Sequence, residues 1–156
     1  MHIGVKAMRI AVGSDHAGLK LKAAVISYLS ELEHTYDDFG AYDTNSVDYP
    51  DISRAVCGSI LEKKHDLGIL ICSTGVGISI AANKINGIRA ALCHDTFAAA
   101  RAREHTDCNV LCMGEWCIGQ GIGRAIVKAF LDGEFVGGRH GRRLEKLTNL
   151  ETEQLQ

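Results

Sequence analysis

The 156-residue sequence has no two cysteines spaced as CxxC and no cysteine–histidine spacing of the zinc-finger kind. That excludes the compact structural zinc sites such pairs build. It has no apolar run approaching the roughly 18 residues needed to span a bilayer, and no secretory leader is visible. A soluble, cytoplasmic protein with no membrane partner is expected. No sign of charge dominates: the formal net charge is −2, which argues against a chain that wraps nucleic acid. Proline is almost missing. The only one, Pro50, closes the polar loop Gly40–Tyr49 and suits a helix start. Internal repeats and low-complexity segments are absent as well.

What is present is ordinary globular composition, 46% hydrophobic and 23% charged. A chain of this length can bury roughly two-thirds of its unfolded surface, so it needs neither disulfides nor a metal to fold. Residues 8–150 read as one domain, 1–7 as an N-terminal extension before a second methionine, and 151–156 as a tail. The six cysteines at 57, 72, 93, 108, 112 and 117 sit largely in apolar runs. They read as free thiols of a reducing compartment, with Cys93, Cys108, Cys112 and Cys117 mostly core. His34 and His65 stand at element ends without a partner signal and are expected at the surface.

Short β-rich runs alternate with helical patterns. Strands are expected at 9–13, 35–39, 67–72, 88–93 and 109–113. Helices are expected at 19–32, 51–64, 78–84, 96–104 and 118–131, with a last amphipathic helix after a glycine hinge. The alternation implies an α/β sandwich, a mostly parallel sheet covered by helices on both faces. Strand order is not readable at this level. The final helix has no strand to pair with and is expected to pack across a neighbouring subunit.

Ligands of such folds sit at the carboxyl ends of the strands. The third strand ends there in the segment ILICSTGVGISIAANK, Ile69–Lys84. Gly75 and Gly77 permit unusual backbone angles and close approach of a ligand. The helix start supplies free N–H groups that can hold a phosphate or a developing oxyanion. The same field favours the thiolate of Cys72, a nucleophile or base; alternatively Cys72 merely ends a buried strand. A dinucleotide fingerprint fails, because Ile80 stands where the third glycine belongs. A P-loop lacks its Gly-Lys-Ser/Thr ending, and a phosphatase-type loop lacks arginine six residues after the thiol, where Ile78 stands.

Other polar clusters are ambiguous locally. Asp15 and His16 follow the first strand and suit ligand contact, although Ser14 or Asp15 could simply cap the next helix. His105, in the charged run REHTD, is by default a solvated histidine. Arg139, His140, Arg142 and Arg143 form the densest basic cluster. It reads as a solvated face or, with Arg139 and Arg143 four apart on one helix side, as a phosphate clamp. Tyr49 in VDYPD lies in the core or lines the site.

Together these motifs (SDHAG, VDYPD, the Ile69–Lys84 block, GIRAAL, the His105 segment, NVL and GGRH) resemble the type B ribose-5-phosphate isomerases. That family also holds galactose-6-phosphate and allose-6-phosphate isomerases. The resemblance spans Met8 to Leu150. It implies a three-layer, Rossmann-like fold with a five-stranded parallel sheet and a C-terminal helical tail. It implies interconversion of ribose 5-phosphate and ribulose 5-phosphate through a cis-enediolate, with no metal or organic cofactor. A six-carbon aldose 6-phosphate, or a non-catalytic sugar-phosphate-binding role, are the alternatives.

The resemblance assigns Cys72 as the base, Thr74 as an assistant in proton handling, and Ser73, Gly75, Val76 and Gly77 as the hole for the enediolate oxygen. His105 would open the sugar ring from the partner subunit. Asp15, His16 and Tyr49 would contact the substrate, and Arg139 and Arg143 its phosphate. Some relatives use a glutamate at the end of the glycine turn; Ile78 stands there, which leaves the work to Cys72. Two positions depart from the family pattern: Thr106 replaces asparagine after the ring-opening histidine, and Trp116 stands where relatives often carry a phosphate-binding arginine. The implied assembly is a homodimer, with a tetramer as the alternative.

Overall fold

The computed structural model describes residues 6–153. Residues 1–5, most of the expected extension, and 154–156 lie outside it. Eleven elements run in the order β1 (Arg9–Ser14), α1 (Leu19–Glu31), β2 (Thr35–Asp38), α2 (Tyr49–Leu61), β3 (Leu67–Cys72), α3 (Val76–Asn83), β4 (Ala90–Leu92), α4 (Thr96–Thr106), β5 (Val110–Gly114), α5 (Gln120–Asp132) and α6 (Arg139–Glu153). The five strands form one parallel sheet in the order β2-β1-β3-β5-β4.

β3 lies at the centre and is buried at all six positions. That is why its sequence, LGILIC, is a continuous apolar run without alternation. Side chains alternate across it all the same. Leu67, Ile69 and Ile71 face a core with Leu21, Val25, Met113, Ile126 and Phe130. Leu70 and Cys72 face a second core with Ala11, Val56, Ile78 and Cys112. Helices α1, α4 and α5 cover the first face and α2 and α3 the second. Each fully buried aliphatic side chain contributes about 1.5–3 kcal/mol, so these two cores fix the sheet on which the site is mounted.

Expected and observed elements agree in kind, with boundary shifts. α2 starts at Tyr49, two residues before the expected position, and Pro50 lies in its first turn, where a missing N–H costs nothing. β4 is only three residues long. Two expectations are corrected. His34 and His65 are 6% and 7% exposed, so neither lies at the surface. The His34 Nδ1 accepts the Met8 N–H at 3.2 Å, and the His65 Nε2 pairs with Asp37 Oδ2 at 2.8 Å. The tail also has contacts within its own chain: Glu151 accepts the Gly87 N–H, and the α6 residues Leu147 and Leu150 line a cavity with Ile88 and Ala90.

Candidate active site

The carboxyl ends of β1, β3 and β5 meet at one edge of the sheet. Cys72 is the last residue of β3 and is 3% exposed. Its Sγ accepts the Gly75 N–H at 3.1 Å. The chain can fold back onto the sulfur because Gly75, the N-cap of α3, adopts φ +77°, a region costly for other residues. Val76 N–H turns to Thr74 Oγ1 at 3.3 Å. Among the described residues, nothing accepts from the Gly77 and Ile78 amides. These are the orphan donors of a helix start, in the first turn after the sulfur-bonded Gly75.

The turn is held from β5. Glu115 N–H donates to the Cys72 carbonyl and Trp116 N–H to the Ser73 carbonyl, both at 2.9 Å. Gly114 lets this happen: a Cβ there would sit 2.7 Å from the Thr74 Cα. Gly77 carries a similar demand, because a Cβ on it would lie 2.8 Å from the Tyr49 ring carbon Cζ. The ring of Tyr49 therefore covers the turn. Trp116 is 74% exposed at the mouth.

Asp15 and His16 complete this edge. Asp15 is 6% exposed, and its Oδ1 accepts the Ala17 N–H at 2.9 Å. The His16 Nδ1 accepts the Val47 N–H at 3.3 Å, which leaves Nε2 as its protonated donor. The loop carrying Val47 is anchored by Lys22, a 4%-exposed cation on α1. Its Nζ reaches Asp38 Oδ1 at 2.7 Å and also the Ala41 carbonyl. Neither His16's fastening to the loop nor the Lys22 anchor carries a local sequence signal, because both join segments distant in the chain.

The remaining sequence-predicted residues lie elsewhere. α4 leaves the carboxyl edge at Thr96 and runs back along the sheet, about 16 Å for its length. Its end therefore reaches the amino edge, where the Arg89 Nε donates to the Thr106 and Asp107 carbonyls. His105 is there, one turn of chain before β5. Its ring stacks on that of His140, with centroids 4.1 Å apart and planes 9° from parallel. Arg139 and Arg143 are exposed on the first turns of α6, beside the same stack. The Thr106 hydroxyl donates to the Ala102 carbonyl at 2.8 Å and lies 3.2 Å from Cys108 Sγ.

The sequence-predicted residues thus fall into two groups, one at each edge of the sheet. One holds Asp15, His16, Tyr49, Cys72, Ser73, Thr74, Gly75, Val76, Gly77 and Trp116. The other holds His105, Thr106, Arg139 and Arg143. The buried thiols Cys57, Cys93 and Cys112 are chemically quiet: burial pushes Cys57 up to about 12 and, as the leading cause, Cys93 up to about 11. Cys112 is raised well above the usual thiol range for the same reason. Cys117 is exposed, contrary to its expected place in the core.

A parallel sheet with a buried thiol and an amide-lined turn at its carboxyl edge defines an α/β fold whose site lies at the carboxyl ends of the strands. The chain belongs to the Ribose/Galactose Isomerase family, whose model matches residues 10–147. It is 46% identical to the protein YwlF of Bacillus subtilis over 95% of this chain and 100% of that one. It is 41% identical to a D-erythrulose-4-phosphate isomerase of Pectobacterium atrosepticum, over 90% of this chain and 93% of the other. Its fold matches the solved ribose-5-phosphate isomerase B of Clostridium thermocellum with a TM-score of 0.93, at 43% identity over 94% of this chain and 99% of that one.

Proposed function

We propose that this chain interconverts ribose 5-phosphate and ribulose 5-phosphate, with Cys72 as the base. The reading is carried by one observation: a buried sulfur at the carboxyl end of β3, bonded to the Gly75 amide beside the free amides of Gly77 and Ile78. A proton next to a carbonyl is weakly acidic, so the charge that forms when it leaves must be met by donors already in place.

The sequence of steps follows. His105 delivers a proton to the ring oxygen as the bond from carbon 1 to that oxygen breaks, and the carbon 1 hydroxyl loses its proton to leave an aldehyde. The Cys72 thiolate takes the proton from carbon 2. The electron pair moves into a carbon 1–carbon 2 double bond, and the charge falls on oxygen 1, facing the amides of the turn. Thr74 passes the hydroxyl proton from oxygen 2 to oxygen 1. The Cys72 thiol then returns its proton to carbon 1, leaving the ketone at carbon 2. Asp15, His16 and Tyr49 hold the sugar, and Arg139 and Arg143 hold its phosphate with two forked cations. No cofactor enters the reaction, and the reading places it in the cytoplasm.

His105 and the arginines work on Cys72's substrate only if two copies join their half-sites, which makes the enzyme a homodimer. The exposed Val76, Ile80 and Phe97, on α3 and the start of α4, supply apolar surface for such contact. Purified protein is given ribose 5-phosphate and ribulose 5-phosphate is measured, beside Cys72→Ala and His105→Ala variants. Turnover by the parent and loss in each variant is expected. Mixing the two inactive variants after subunit exchange regains about a quarter of parent activity, because half the dimers are mixed and each carries one intact site. No recovery in mixed dimers excludes the shared site, and full activity of Cys72→Ala excludes the base.

Substrate length is the one point on which a second reading has support. The Pectobacterium relative is named for a four-carbon substrate, and Trp116 stands where a phosphate-binding cation is expected. Comparison of kcat/KM for ribose 5-phosphate, erythrulose 4-phosphate, and allose and galactose 6-phosphates decides it. The five-carbon sugar is expected to lead.

A further inference from the structure

We infer that His140 is a positioning residue for His105, an inference that rests on the reading of His105 as the ring-opening group. The two rings lie face to face, 4.1 Å apart and within 9° of parallel. They come from different elements, the last turn of α4 and the first turn of α6. The connecting segment is pinned to α4 by the Val136 N–H, which donates to the Glu104 carbonyl at 3.0 Å. His140 is 8% exposed while His105 is half-buried. His140 is thus a floor under one face of His105, and the ring nitrogens of His105 are left to face a ligand at their edge.

The chemical state of the floor matters. Burial, together with the positive charge of its neighbours, holds His140 below the ordinary histidine range. The groups acting on it are His105 from α4 and Arg139 and Arg143 from α6. Its Nε2 lies 3.4 Å from the Arg139 Nε, which donates to it, so that nitrogen carries a lone pair. At neutral pH His140 is therefore an uncharged aromatic face. It restricts the rotation of His105 without adding another positive charge beside a group that must hold a proton until the ring oxygen takes it. A flat apolar ring of similar size can do the same work; a small or branched side chain cannot.

The parent, His140→Ala, His140→Leu, His140→Phe and His105→Ala are assayed with ribose 5-phosphate, with thermal unfolding as a check of folding. His140→Ala and His140→Leu are expected to lower kcat/KM about tenfold or more. His140→Phe, which restores a flat ring, is expected to stay within about threefold of the parent. If the Ala variant does not fold, the Leu variant stands for the loss of the ring. A Leu variant as active as the parent, or a Phe variant as poor as Leu, overturns the inference. If His105→Ala loses activity while every His140 variant keeps it, this inference alone falls. If His105→Ala loses nothing, the ring-opening role falls and this one with it.

Discussion

Replacing Gly114 by alanine adds one methyl group to a residue that carries no functional atom, yet it bears directly on the turn that follows Cys72. The new Cβ would stand 2.7 Å from the Thr74 Cα. The Thr74 carbonyl carbon is nearer still; ordinary carbon–carbon contact needs about 3.5 Å, so the turn or the end of β5 must retreat by roughly 1 Å. The atoms in conflict are backbone, so no side-chain rotation relieves them. The turn is also tied on both sides, through Glu115 and Trp116 to the carbonyls of Cys72 and Ser73. Overpacking of this kind costs about 1–3 kcal/mol. For a chain of this size that lowers the melting temperature by roughly 2–10 °C. With Cys72 as the proposed base, activity falls further, by about a hundredfold, because its sulfur and the turn amides would then hold the reacting carbons to well within 1 Å. Thermal unfolding and kcat/KM for ribose 5-phosphate are measured together, with Gly119→Ala as control, since a Cβ on Gly119 meets nothing within 4 Å. Parent-like stability and turnover in Gly114→Ala would refute the view that β5 sets the position of the turn.

Three other outcomes are expected. Gly58 lies inside α2 with open space around its missing Cβ, so Gly58→Ala should raise unfolding free energy by about 0.5–1 kcal/mol in urea titrations. Burial holds His34 below the ordinary histidine value of 6.5, Asp132 opposing in part. The unfolded chain therefore binds the proton first, and stability is full above pH 6.5 and declines as pH falls below it; His140 acts in the same sense. Urea midpoints at pH 8 and pH 5.5 should show that decline, and His34→Gln should flatten it. Brief iodoacetamide treatment of the folded protein should label Cys117 first, read by peptide mass. Cys57, Cys93 and Cys112 are buried with raised values and should label only on unfolding.

The sequence alone determined the elements and the turn. Apolar runs and 3.6-residue periodicity are local properties, so β3, the alternating layers and the thiol-glycine segment Cys72–Gly77 were legible without a partner in space. Ser14, Asp15 and His16 were placed at a strand end for the same reason. Tertiary structure decided the rest. The order β2-β1-β3-β5-β4 depends on which buried faces fit each other, and no local pattern carries that information. The burial of His34 and His65 depends on Met8 and Asp37, which are 26 and 28 residues away in the chain. The fastening of His16 by Val47, the buried Lys22 anchor and the stack of His105 on His140 likewise join distant segments. The separation of His105 from Cys72 follows from the direction of α4: a helix leaving the carboxyl edge of a parallel sheet must return to the amino edge before the next strand can begin, and it carries His105 away from Cys72 of the same chain.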